Sequence, residues 1–150
     1  MDEFDVLYQE VILDHNKNPR NFGTLDPFTH KAVGHNPLCG DYVEIFLFID
    51  GDTIKDVKFK GVGCAISKAS ASIMTTVLKG KKIEEVKDLF ERYHTVLTSK
   101  PDEPVDVSNL GKLAVFAGVR EFPVRVKCAT LPWHTLMEAL EKKDSVLKME

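Results

Sequence analysis

Hydrophobic and polar positions along this chain repeat with two different periods, and the changes of period mark its elements. Near the start, Phe4, Leu7, Tyr8, Val11 and Ile12 recur at spacings of three and four, which lines one face of an amphipathic helix. Asp2 can cap that helix, and Glu3 and Asp5 suit the positive end of its dipole. The helix should end near Asn16, because "NKNPRNFG" is dense in breakers, and an irregular stretch through "TLDPF" follows. The period then drops to two. "DYVEIFLFID" puts Val43, Ile45, Leu47 and Ile49 on one face. Its other face carries Tyr42, Glu44, Phe46 and Phe48, so that side is not simply solvated. Gly51 and Asp52 sit where a hairpin should turn, and "TIKDVKFKGV" alternates again with lysines between its apolar residues. A shorter strand fits "HKAVGH". The pattern predicts a small antiparallel sheet of three strands.

Helical spacing returns after the sheet. "CAISKASASIMTTVLKG" is rich in Ala and Ser, and Ala65, Ala69 and Ser72 form a small-residue face that allows close packing, with Gly80 as the C-cap. Ile83, Val86, Phe90, Tyr93 and Leu97 predict another helix, and "SKPDEPVDVSN" reads as a polar linker. "LGKLAVFAGV" predicts a short helix. The last helix should start near Pro123, a favourable first-turn residue, and run to about Lys143. Pro132 lies inside it and removes the bond to the Cys128 carbonyl, so a kink or break is expected one turn after that cysteine. No repeat or low-complexity tract divides the chain. The expected fold class is α+β, one domain over residues 1–150 with the sheet packed against several helices.

Composition narrows the function classes. The chain is 43% hydrophobic and 29% charged with a net charge of −3, which permits a sizeable core and gives no nucleic-acid footprint. "MDEFD" is not a secretory signal, and the longest apolar runs, such as "LAVFAGV", fall far short of the roughly 20 residues that span a bilayer. No membrane partner is expected, and the reading is a cytoplasmic protein. Cytosol keeps thiols reduced, so three cysteines are buried thiols, a nucleophile or metal ligands rather than a disulfide framework.

All three cysteines fall at element ends or first turns. Cys39 precedes a strand in "NPLCGD", and residues two apart in an extended segment point the same way, so the Cys39 sulfur and the Asp41 carboxylate can converge. Cys64 opens a helix in "GVGCAIS", where free N–H groups favour a thiolate. Cys128 lies early in the last helix, in "RVKCATLPW". Three thiolates and a carboxylate make a tetrahedral set for zinc and also suit an exposed iron–sulfur cluster. Spacing alone does not point to a metal: no C-x-x-C pair is present, and three unrelated buried thiols fit the gaps better. A cysteine nucleophile with a histidine base finds no recognisable spacing. The histidines at 15, 30, 35, 94 and 134 are set aside as packed or exposed, His35 being nearest in sequence to Cys39. Trp133 reads as core, Lys79, Lys81 and Lys82 as a solvated face, and Arg20 as a loop hydrogen bond or a partner contact.

Read together and in this order, "LYQEVILDHNKNPRNFG", "NPLCGD", "GVGCAISKASAS" and "RVKCATLPW" closely resemble the SufU/IscU family of iron–sulfur cluster assembly proteins, the NifU N-terminal type. The resemblance implies a SufE/NifU-like fold and a site of Cys39, Asp41, Cys64 and Cys128. The IscU branch carries a histidine immediately before its third cysteine; here that residue is Lys127, a poor metal ligand. The stretch from Cys64 to Cys128 also looks longer than in that branch. Both features resemble SufU, which implies a tightly held Zn2+ and transfer of sulfur from a SufS-like cysteine desulfurase towards a cluster scaffold or apo iron–sulfur proteins. In that reading Cys39 is the sulfur acceptor, Asp41 its weak oxygen partner, and Arg125 and Lys127 are supporting cations. The rival readings are a scaffold for a transient [2Fe–2S] cluster at the same residues and, from another class, a structural zinc adaptor.

Overall fold

The protein, described by a computed structural model, is resolved into described positions 3–37, 40–142 and 144–148. Asp2, Cys39 and Lys143 lie outside the described residues, so the expected cap at Asp2 and the role of Cys39 are not addressed by the fold.

Helix α1 spans Glu3–Lys17, close to the predicted end. Strands β1 (His30–Asn36), β2 (Asp41–Asp50) and β3 (Thr53–Val62) follow and pair antiparallel, β1 with β2 and β2 with β3. Asp50 faces Thr53 across a two-residue turn, and Gly51 takes the positive φ of +64° that such a hairpin asks of its first central residue. The inner face of β2 matches the period-two reading: Val43, Ile45 and Leu47 are buried. Phe46, on the other face, is also buried, beneath Phe28 and two lysine ammonium groups. The sheet gains one strand that the pattern did not predict. Strand β4 (Asp144–Lys148) lies parallel to β1 at the edge, giving the order β3-β2-β1-β4. Five residues without a flanking turn signal are too little for a period-two pattern to register.

Helices α2 (Ala65–Leu78), α3 (Ile83–Thr98) and α4 (Pro123–Lys142) complete the layer. Helix α4 packs across β1 and β2, and α2 lies against α1, α4 and β3. The predicted small-residue face understates α2: Ile66, Ser67 and the run from Ala69 to Thr75 are all buried, so the helix is enclosed on nearly every side. Gly34 in β1 lets α4 sit directly on the strand, since a Cβ there would run into the Thr135 side chain. The segment Gly111–Glu121 forms a 3₁₀ helix. Its buried residues explain why: Leu110, Leu113, Phe116 and Val119 recur at every third position, the spacing at which 3₁₀ side chains eclipse. Phe116 sits edge-on between the rings of Tyr8 and Tyr93.

Of the kink or break expected at Pro132, the break does not occur; α4 runs through it. Proline can offer no N–H to the Cys128 carbonyl and crowds the turn before it. The next carbonyl, that of Ala129, accepts hydrogen bonds from the Ser70 hydroxyl at 2.6 Å and the Tyr93 hydroxyl at 2.9 Å. Neighbouring helices thus supply donors at the point where the proline disturbs the ladder.

Candidate metal centre

Three of the four residues singled out in the sequence meet at one point. Asp41 opens β2, Cys64 is the N-cap of α2, and Cys128 lies in the second turn of α4. One donor atom of each falls within 4.8 Å of the others. Asp41 and Cys128 are buried and Cys64 is partly so. Local geometry explains the convergence. Asp41 pairs with Asn36 at the start of the ladder, which aims its carboxylate at the β3–α2 connection. Its Oδ1 accepts the backbone N–H of Cys64 at 2.8 Å, and its Oδ2 lies 3.8 Å from the Cys64 sulfur. The same sulfur caps α2 by accepting the Ser67 N–H at 3.4 Å. Gly63 makes room for all of this: at φ +151° it takes a conformation other residues avoid, and a Cβ would strike the Asp41 carboxylate.

The charges in this pocket are unbalanced. The Cys64 thiol is pushed down to about 6, first by the hydrogen bond it receives from the Cys128 thiol, then by the Ser67 and Ile66 amides at the start of α2, against burial and the nearby Asp41 charge. Cys128 is pushed up by that same bond, by burial and by Asp41. Burial, the Cys64 sulfur and Asp41 all favour the protonated Cys128 thiol, and a divalent cation in this pocket would offset the accumulated negative charge and draw off that proton. Two sulfurs and one oxygen are the donor types zinc takes. The residues therefore fit a metal ion.

The remaining sequence candidates are dispersed. Arg125 lines a hollow with Tyr8, Phe122 and Val119, close enough for its charge to act on Tyr8. Tyr8 itself was missed by the sequence reading, which took it as one apolar residue of the α1 face. It is pushed up by burial, drawn down by Arg125 and pushed up again by Cys64 and Cys128, so it borders the site. Lys127 lines a different hollow, with His94, Thr130 and His134. Arg20 is held in place by Asp14 at 2.6 Å and by the Asn18 carbonyl. Among the described residues no histidine joins the cluster; His35 lies against Tyr42, and His15 is buried against Ser72. Trp133 is fully buried between Phe90 and Tyr93.

With this geometry established, residues 7–129 match the family described as NifU-like N terminal domain. The chain belongs to that family. It is 42% identical over 141 residues to the zinc-dependent sulfurtransferase SufU of Bacillus subtilis, covering 93% of each chain. It is 37% identical over 139 residues to the iron–sulfur cluster assembly scaffold protein IscU of Thermotoga maritima, covering 93% of this chain and 96% of that one. Among solved structures, the SUF-system protein FiSufU from Fervidobacterium islandicum AW-1 superposes with a TM-score of 0.82 at 36% identity, covering 90% of this chain and 97% of the other. The N-terminal part of a NifU-like protein from Brucella abortus shares the fold at a TM-score of 0.80 and 22% identity. Among the described residues, no helix of this family member is long and apolar enough to cross a membrane.

Proposed function

We propose that this NifU-like chain is a zinc-binding sulfur acceptor in iron–sulfur cluster assembly, acting in the cytoplasm with a cysteine desulfurase and passing sulfur on to a scaffold or apo-acceptor. The observation that carries this reading is the convergence of Asp41, Cys64 and Cys128 within 4.8 Å in a relative of a named zinc-dependent sulfurtransferase. Cys39, two residues before Asp41, is assigned as the fourth ligand, and residues 1–150 are read as one NifU N-terminal-like domain. Bound zinc would supply positive charge that keeps the sulfurs ionised at neutral pH.

The chain's own residues then divide the work. Cys128 sits in a helix and Cys64 caps one, which holds their sulfurs in fixed directions, and Cys39 is assigned the exchangeable position. The Cys39 thiolate attacks the outer sulfur of the desulfurase persulfide; the sulfur–sulfur bond there breaks, the desulfurase cysteine leaves as a thiolate, and Cys39 carries the new persulfide. Asp41, a hard oxygen donor among soft sulfurs, keeps the remaining donors in place. Arg125, whose charge is felt at Tyr8 beside the two sulfurs, offsets negative charge at the rim. Lys127 is assigned the same role more remotely.

The scaffold reading draws on the IscU relatives, and Lys127 speaks against it, because a lysine ammonium has no lone pair to offer a cluster iron. Metal analysis with a desulfurase assay separates the two. Colourless protein holding one zinc, accelerating desulfurase turnover and labelled by its sulfur, is the expected result. A brown protein that hands a cluster to an apo-acceptor without stimulating the desulfurase would overturn it. Cys39→Ser should abolish sulfur acceptance while the fold persists, and acceptance that survives this change would remove Cys39 from its role.

A further inference from the structure

The buried hydroxyls of Ser70 and Tyr93 serve no obvious purpose in a metal centre made of β2, α2 and α4. Both are fully enclosed, and both donate to a single atom, the carbonyl oxygen of Ala129, at 2.6 and 2.9 Å. Both bonds come from outside α4 and converge on one peptide of it. The atom belongs to the residue immediately after Cys128 and lies three residues before Pro132, in the turn where the helical ladder is already short of a donor. Ser70 comes from α2, whose first residue follows Cys64, and Tyr93 comes from α3. The Tyr93 ring is fixed in turn by Phe116 and Trp133, at centroid distances of 6.2 and 5.3 Å.

We propose that Ser70 and Tyr93 are positioning residues for the Cys128 sulfur: they pin the Ala129 peptide and thereby set how α4 is rotated about its axis beside Cys64. Without the pin, a helix weakened by Pro132 can turn or slide at this point, and a small rotation carries the Cys128 sulfur away from its two neighbours. A tetrahedral site tolerates such a displacement poorly, because its donors must point at a common centre. Tyr93 is supplied by α3, which lies between Cys64 and Cys128 in the chain. Helix α3 therefore acts on the metal centre through the backbone of α4 and touches none of its donor atoms. The proposal rests on the metal-site reading above for its functional meaning, though the placement of the sulfur can be measured without any metal.

Tyr93→Phe, Ser70→Ala and their combination remove the donors while keeping the core filled, and Thr135→Val serves as a control that deletes another buried hydroxyl bond in α4, to the Leu131 carbonyl. Two readouts are taken. Cobalt-loaded protein reports donor geometry through its sulfur-to-cobalt charge-transfer band. Metal-free protein carrying Cys39→Ser, which leaves only two thiols, reports the Cys64–Cys128 approach through the rate of disulfide closure with diamide. The expected result is a shifted, weaker cobalt band, cobalt affinity lower by about tenfold or more, and slower disulfide closure in the double variant, with Thr135→Val unchanged in all of these despite a lower melting temperature. Double-variant spectra and closure rates equal to the parent's would overturn the proposal, as would equal changes in Thr135→Val. If the parent itself shows no sulfur-to-cobalt band, the metal-site reading fails separately, and the closure rates alone decide whether the pin exists.

Discussion

The carboxylate of Asp41 accepts the Cys64 amide through one oxygen and lies 3.8 Å from the Cys64 sulfur through the other. Two effects should therefore separate on substitution. Asp41→Ala leaves a part-buried N–H without its acceptor, which costs about 1–3 kcal/mol of stability. Asp41→Asn keeps an acceptor in place and loses only the charge, so its melting temperature should recover most of that loss. Zinc affinity, measured by competition with a chromophoric chelator, should fall at least about tenfold in both; wild-type affinity in either would remove Asp41 from the ligand set. At this scale the sequence was informative where chemistry is local. A helix start marked Cys64, while the expected alignment of Cys39 with Asp41 lies outside the described residues. Tyr8 escaped because an aromatic at helical spacing looks the same whether it fills a core or borders a pair of sulfurs. Ser70 escaped because it read as one more small residue; its partner is 59 positions away.

Helix α2 shows what element-level patterning can and cannot settle. Its small residues announced close packing, yet two of its three buried serines, Ser70 and Ser72, point to different neighbours. Ser70 reaches α4, and Ser72 reaches His15 of α1 at 2.7 Å and the Arg20 amide at 2.8 Å. His15 is pushed down from 6.5 by burial and by the Arg20 charge. Below 6.5 the unfolded chain takes up a proton that the folded chain resists, so stability should fall as pH drops from that value towards the lower folded value. Melting temperatures from pH 7.5 to 5 should show this slope, and His15→Gln should flatten it; an unchanged slope would mean that other groups govern the acid limb. Close packing of α4 on β1 predicts a second effect. Gly34→Ala forces a methyl into the Thr135 side chain and should destabilise by about 1–3 kcal/mol, with Thr135→Ala restoring part of the loss in the double variant. The strands were legible because period two is hard to mimic. The 3₁₀ helix was visible as helical but not as 3₁₀, although its spacing of three from Leu110 to Val119 carried the difference.

At the scale of the whole molecule, most of the core is built from residues outside the metal centre, although Cys128 belongs to that core. It runs from α1 through the sheet to α4 and includes Trp133, Tyr93, Phe116 and Leu47, none of which belongs to the donor set. Chelation should therefore lower the melting temperature without unfolding the chain. A ligand present at a thousand times its dissociation constant contributes about 4 kcal/mol, and that increment is what a chelator withdraws. Far-ultraviolet circular dichroism with and without chelator checks this, and collapse of the helical signal at 25 °C would favour the structural zinc adaptor instead. The edge strand β4 and the pairing order of the sheet lay beyond sequence reasoning because they depend on which edge remains open once α4 has docked.

The three donors that meet here come from positions 41, 64 and 128, on one strand and two helices. No early fragment of the chain holds more than part of the set, and the last donor arrives only when α4 has closed over the sheet. Contacts between such distant positions form late in folding, after the loops between them have been closed. Metal capture at this site would then be a proofreading event: an ion could be held firmly only by a molecule whose long-range topology is already complete, so the loaded fraction of a population would count its correctly folded members.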